Sequence, residues 1–155
     1  MTDPATPAAA PAIFDLTDFD ARDEITYAIK NPKTDEPTSW IWTFFGPGHP
    51  VTVELSNRIS RDVLRERRAK EQAAVNGKKW KPDEQTPNEF RSEIVDGIVT
   101  RVKEFTPVRL NGEDIAFSKD AARKLLLDPK KSWLFGQISS VLRDDENFMQ
   151  PSPKG

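Results

Sequence analysis

The sequence predicts a mainly α-helical fold with a small β component: an N-terminal β-hairpin followed by a helical domain of about four helices. Three observations carry this. Between Ile25 and Phe45, apolar residues alternate on either side of a proline-containing turn, the period-two pattern of paired strands. Four later stretches repeat apolar residues at the helical period. Each of those stretches opens on a residue able to cap or start a helix.

The elements follow in order. Residues 1–20 read as a flexible N-terminal segment, Pro- and Ala-rich to about Ala12. The stretch that follows, "IFDLTDFDARDE" from Ile13 to Glu24, sets Ile13, Phe14, Leu16 and Phe19 among acids and reads equally as a docking segment or a lead-in. A single domain is expected over residues 21–149, with 150–155 a polar, Pro-rich tail. In the hairpin, Ile25, Tyr27 and Ile29 alternate with Thr26, Ala28 and Lys30, and "NPKTDEP" supplies the turn residues. The return strand puts Trp40, Trp42 and Phe44 on one face and Ile41, Thr43 and Phe45 on the other. Both faces are largely apolar, so the strand should be covered on both sides or completed by a partner. "GPGHP" ends it.

Pro50 suits the first turn of a long helix with Leu55, Ile59 and Val63 as its stripe. Its many arginines are interspersed with Glu54, Asp62, Glu66 and Glu71, which favours a solvated, ion-paired face over a nucleic-acid surface. Asn76-Gly77 stops it. Thr86, Pro87 and Glu89 form a helix-start signature with a capping box. The helix they open carries Phe90, Ile94, Ile98 and Val102, widened by Val95 and Val99, and is expected to be the most buried. Asn111-Gly112 suits a type I′ turn between two short extended runs. Ser118 caps a third helix, with Asp120 in its first turn and Ala121, Leu125 and Leu126 facing inward. Asp128-Pro129 ends it and starts a fourth, with Asp128 as cap and Trp133, Leu134, Ile138, Val141 and Leu142 as stripe.

Composition narrows function. Among 155 residues, 23 basic and 25 acidic side chains give a net charge of -2, without the basic excess of a general nucleic-acid binder. There is no cysteine, and the lone His49 sits in a Pro/Gly loop, so neither a metal site nor a nucleophile–base pair is expected. The glycines of "FGPGHP" lack the Lys and Ser/Thr of a phosphate loop, and consecutive acids at Asp144 to Glu146 do not share a helix face. The expectation is a chain that is not an enzyme and uses no cofactor. No apolar run approaches the ~20 residues of a membrane span, and the first residues lack a signal-peptide pattern, so a cytoplasmic protein without membrane or nucleic-acid partners is expected. What stands out is four Trp and nine Phe. Aromatics fill cores by default, yet they are also enriched at binding hot spots. Trp40, Trp42, Trp80 and Trp133 are therefore candidate partner-binding residues, with Phe148 near the C-terminus added to them. Trp80 stands in a lysine-flanked loop with no stripe to join.

The C-terminal third, "VKEFTPVRLNGEDIAFSKDAARKLLLDPKKSWLFGQISSVLRDDENFM", resembles the tail assembly chaperones of long-tailed bacteriophages. The matching positions are Gly112, Phe117-Ser118, Ala121 or Ala122, Leu125-Leu126, Asp128-Pro129, Trp133, Gln137-Ile138, Val141 and Phe148. Phe105 stands where that pattern has tryptophan, and "SKDAA" lacks its asparagine. The resemblance implies a non-enzymatic protein of the bacterial host cytoplasm. Such a protein binds the tape measure protein, keeps it soluble and promotes assembly of tail tube subunits around it, then leaves before the virion is complete. It further implies the tail tube protein as a second partner and admits a homo-oligomer. The alternative expectation is a structural head–tail or tail accessory protein retained in the virion.

Overall fold

A computed structural model describes residues 12–81 and 85–149. The flexible readings of residues 1–11 and 150–155 lie outside the described residues. The elements are β1 (Glu24–Lys30), β2 (Pro37–Phe45), α1 (Pro50–Val75), α2 (Pro87–Thr100), β3 (Val102–Phe105), β4 (Val108–Leu110), β5 (Glu113–Ile115), α3 (Lys119–Leu127) and α4 (Ser132–Arg143). Short 3₁₀ turns cover Leu16–Phe19, Pro129–Lys131 and Asp145–Phe148. The fold is mainly α with a small β component.

β1 and β2 pair antiparallel, with Ile25 opposite Phe44 and Tyr27 opposite Trp42. The expected hairpin is widened by a third strand. β3 joins the other edge of β2, with Trp42 opposite Phe105, giving the order β1-β2-β3. This corrects the place of Val102, which the helical period assigned to α2. The helix stops because Arg101 turns back: its N–H donates to the Ile98 carbonyl while its own carbonyl accepts from Phe45 N at 2.8 Å. A strand partner 56 residues away captures the chain there, something local periodicity does not register.

A second correction concerns α2 itself. Its inward residues are Val95 and Val99, while Phe90 is 56% and Ile94 40% exposed. The more enclosed helix is α4, where Leu134, Ile138, Val141 and Leu142 are all buried. They meet Trp42, Phe44, Val102 and Phe105 of the sheet, Ala122, Leu125 and Leu126 of α3, and Phe148 in one core. Burial of each large side chain contributes about 1.5–3 kcal/mol.

Several side chains lock this core's edges. Gln137 of α4 accepts from Lys30 N at 3.0 Å and donates to Lys30 O at 2.8 Å, so its amide stands in for a neighbouring strand. Arg101 donates to the carbonyls of Phe45 and Leu142 and lies 5.2 Å from the Phe148 ring centroid. Burial pulls its pKa down, with Asp145 opposing. Lys119 donates to the Val99 carbonyl at 2.8 Å and to that of Val102, placing a cation at the C-terminal end of α2 where the helix dipole favours it. Gly46 is fixed by close approach: a Cβ there would stand 1.9 Å from the Arg22 carbonyl oxygen.

The caps follow the sequence. Thr86 and Glu89 form the reciprocal capping box, and Ser118 Oγ accepts from Ala121 N at 2.9 Å. Asn111 and Gly112 both take positive φ, as a type I′ turn requires. Asp128 differs from expectation. It caps the 3₁₀ turn Pro129–Lys131, and α4 then starts at Ser132 without a side-chain cap.

Candidate functional site: a groove between α1 and α2

Helix α1 starts where His49 Nδ1 accepts from Val51 N at 3.1 Å and Pro50 presets the first turn. It runs 26 residues to Asn76, with Gly77 at φ +68° beyond it. At 1.5 Å per residue this is about 39 Å of helix. Only Thr52 is buried along it. Apart from its first turn, tertiary packing holds little of α1. Its ion pairs, Arg61–Glu54 at 3.0 Å and Arg65–Asp62 at 3.7 Å, are exposed and stabilise weakly.

The α1 stripe forms as expected but does not enter the core. Leu55 is half-buried, and Ile59 and Val63 are more than half exposed. They face α2 across a groove. Leu55 and Ile59 form one wall, Phe90, Ile94 and Gly97 the other, and Leu142 lies at its end, around a cavity of about 840 Å³. Ile59 also borders an adjoining cavity of similar volume that runs past Val63 and Ala69 to Trp80. Lys70 Nζ lies 5.7 Å from the Trp80 ring centroid. Volumes of this size fall within the ~300–1,000 Å³ range of binding clefts.

The charges around the groove are uneven in their engagement. Of the acids, Asp62 pairs with Arg65, Asp96 with Arg123 at 2.7 Å, and Glu93 accepts from Gln85 at 2.7 Å. Among the described residues, Arg58 and Arg143 enter no ion pair, so the rim offers unspent positive charge. A third cavity, of about 790 Å³, lies beside Phe45, Val51 and Val99. Its cations are engaged. Lys103 pairs with Glu24 at 2.9 Å, which raises the lysine's pKa, Lys119 serves carbonyls, and Arg123 holds Asp96.

The five aromatic candidates do not share a site. Trp42 and Phe148, expected as partner-binding residues, are both 0% exposed, their surfaces consumed by the core. Trp42 keeps a buried indole N–H without a partner among the described residues. Trp40 is half-buried, with Nε1 donating to the Thr106 carbonyl at 3.0 Å and its ring edge-on to Trp42 and Phe105. Trp133 is 36% exposed in the first turn of α4 and does not line the groove. Trp80 alone borders the cleft. The sequence marks Leu55, Ile59 and Val63 only as a helical stripe and points Phe90 and Ile94 to the core, so their place around the groove is not expected from it. One signal was legible: three large apolar residues at a spacing of four are too few to bury a helix of this length.

Among the described residues, no group of three His, Cys, Asp or Glu is placed to hold a metal ion, and no helix is long and apolar enough to cross a membrane. Comparison with known proteins gives no match to any family model, curated protein or solved structure.

Proposed function

We propose that the chain is a phage tail assembly chaperone that binds the tape measure protein in the α1–α2 groove, keeps it soluble and promotes assembly of tail tube subunits around it. The observation that carries this reading is a 26-residue helix whose apolar stripe lines an open cleft. An amphipathic helix laid into an apolar groove is a recurring recognition mode, read through anchors at helical spacing. A tape measure protein is long and largely helical, and its apolar stripes risk aggregation unless covered. A shallow groove with few apolar anchors gives a weak, displaceable contact, and many copies along one filament supply avidity. The resemblance of the C-terminal third supports the same role. Work in the bacterial host cytoplasm and absence from the mature virion belong to this reading.

The test is co-expression with the long helical protein of the same phage, measuring that protein's soluble fraction and co-purification. The expected result is an insoluble partner made soluble by the wild-type chain and much less by an Ile59→Glu variant. Unchanged solubility with nothing co-purifying sinks the reading. Recovery of the chain in finished particles would favour a retained head–tail or tail accessory protein instead.

A further inference from the structure

The same molecule displays a second unpartnered apolar feature. Ile13, Phe14, Leu16 and Phe19 are 53–96% exposed, in a segment rooted to the domain where Ala21 bridges Met149 and Arg22 N donates to the Phe148 carbonyl. The segment is shaped. Asp15 caps the 3₁₀ turn Leu16–Phe19 by accepting from Thr17 N at 3.0 Å, and Phe14 stacks on Phe19 with ring centroids 4.9 Å apart. Such order lowers the entropic cost of binding. It is acidic throughout: Asp15, Asp18 and Asp20 lie within it, and no basic residue precedes Arg22. The groove lining sets Arg58, Arg101 and Arg143 against Asp62, Glu93 and Asp96, but the acids are engaged by Arg65, Gln85 and Arg123, whereas Arg58 and Arg143 at the rim are without ion pairs among the described residues.

We propose that the acidic aromatic segment around Phe14–Phe19 of one copy occupies the α1–α2 groove of a second copy of this chain. Within one chain both halves stand open, although the segment is rooted beside the α4 end of the groove. Apolar side chains of the segment would meet Ile59, Phe90 and Ile94, and its aspartates would meet Arg58 and Arg143. The contact joins two different surfaces, so it is heterologous and repeats head to tail, as a ring or an open chain. It would keep the groove covered until a competing helix displaces the segment. It does not depend on what that helix is, so it can fail while the chaperone reading survives.

Two full-length variants test it. Phe14→Ser/Phe19→Ser disables the segment at exposed positions. Gly97→Leu fills the groove, since a Cβ at Gly97 meets nothing within 4 Å. Circular dichroism and thermal melts confirm that both fold. The readouts are mass by analytical ultracentrifugation across a concentration series and binding of a fluorescent peptide of residues 12–21. Expected is a wild-type mass that rises with concentration, two monomeric variants, and an equimolar mixture of them that forms a dimer and nothing larger. The peptide should bind the segment variant at least about tenfold more tightly than Gly97→Leu. Three results overturn the proposal. One is a monomeric wild type with no peptide binding. Another is a monomeric wild type whose segment variant alone binds peptide, which places the segment in its own groove. The third is self-association that both variants retain.

Discussion

Helices α4 and α1 divide the molecule into two regimes. In 12 residues α4 buries four large apolar side chains, and in 26 residues α1 buries one threonine. Both carry an apolar stripe at helical spacing, so periodicity does not separate them. The difference is what stands opposite. α4 faces an aromatic sheet and the short helix α3, which close over it. α1 faces α2 across an open cleft lined by Phe90 and Ile94. The first arrangement spends its apolar surface on folding. The second leaves apolar surface available for association, because a helix held mainly by local terms loses little stability when its stripe is altered.

The largest effect that would break this contrast is a cavity. Phe148→Ala should destabilise by about 3–5 kcal/mol, the usual cost of deleting a fully buried aromatic ring. Ile59→Ala should change stability by no more than about 0.5 kcal/mol, as at surface sites. Chemical denaturation of both variants checks the pair, and comparable losses would mean that α1 is packed after all. Next comes Gly46→Ala, expected to cost about 1–3 kcal/mol because the new methyl collides with the Arg22 carbonyl and the hairpin must shift. The same substitution at Gly97 should instead stabilise by about 0.5–1 kcal/mol, since it meets open space in a helix interior. Thr86→Ala lies between them in size, at about 1 kcal/mol lost with the capping box. It would be read best by hydrogen exchange at the start of α2.

Much of the architecture was legible because local chemistry set it. Pro50, Thr86 with Glu89, Ser118 and Asn111-Gly112 mark boundaries through hydrogen bonds and φ values that need no distant partner. The misses share one cause. Val102 left the helix for β3 because Phe45 bonds Arg101 from across the chain, and Phe90 turned outward because Val95 and Val99 claimed the core face. The candidate site suffered most. Aromatic identity points to Trp42 and Phe148, which the core absorbs, whereas the groove is lined by apolar stripes of two helices, whose exposure depends on tertiary packing that local periodicity does not register. Of the five aromatic candidates, Trp80, set apart by its lack of a stripe, is the one that borders the cavity adjoining the groove.

The smallest effect lies at the junction of α3 and α4 and sharpens the contrast by pH. Asp128 accepts from Lys131 Nζ at 2.6 Å and from Lys130 N at 2.9 Å, and these bonds hold its pKa below the ordinary 3.8. A carboxylate with a depressed pKa in the folded state contributes stability that is fully present above 3.8 and is lost as pH falls through the lower folded value. Asparagine caps nearly as well as aspartate but carries no charge. The thermal midpoint of Asp128→Asn should therefore lie slightly below wild type at neutral pH, and the two should converge only when pH drops below 3.8. A gap that stays constant down to low pH would show that shape rather than charge secures this junction. The closed region would then owe its stability to packing and caps alone.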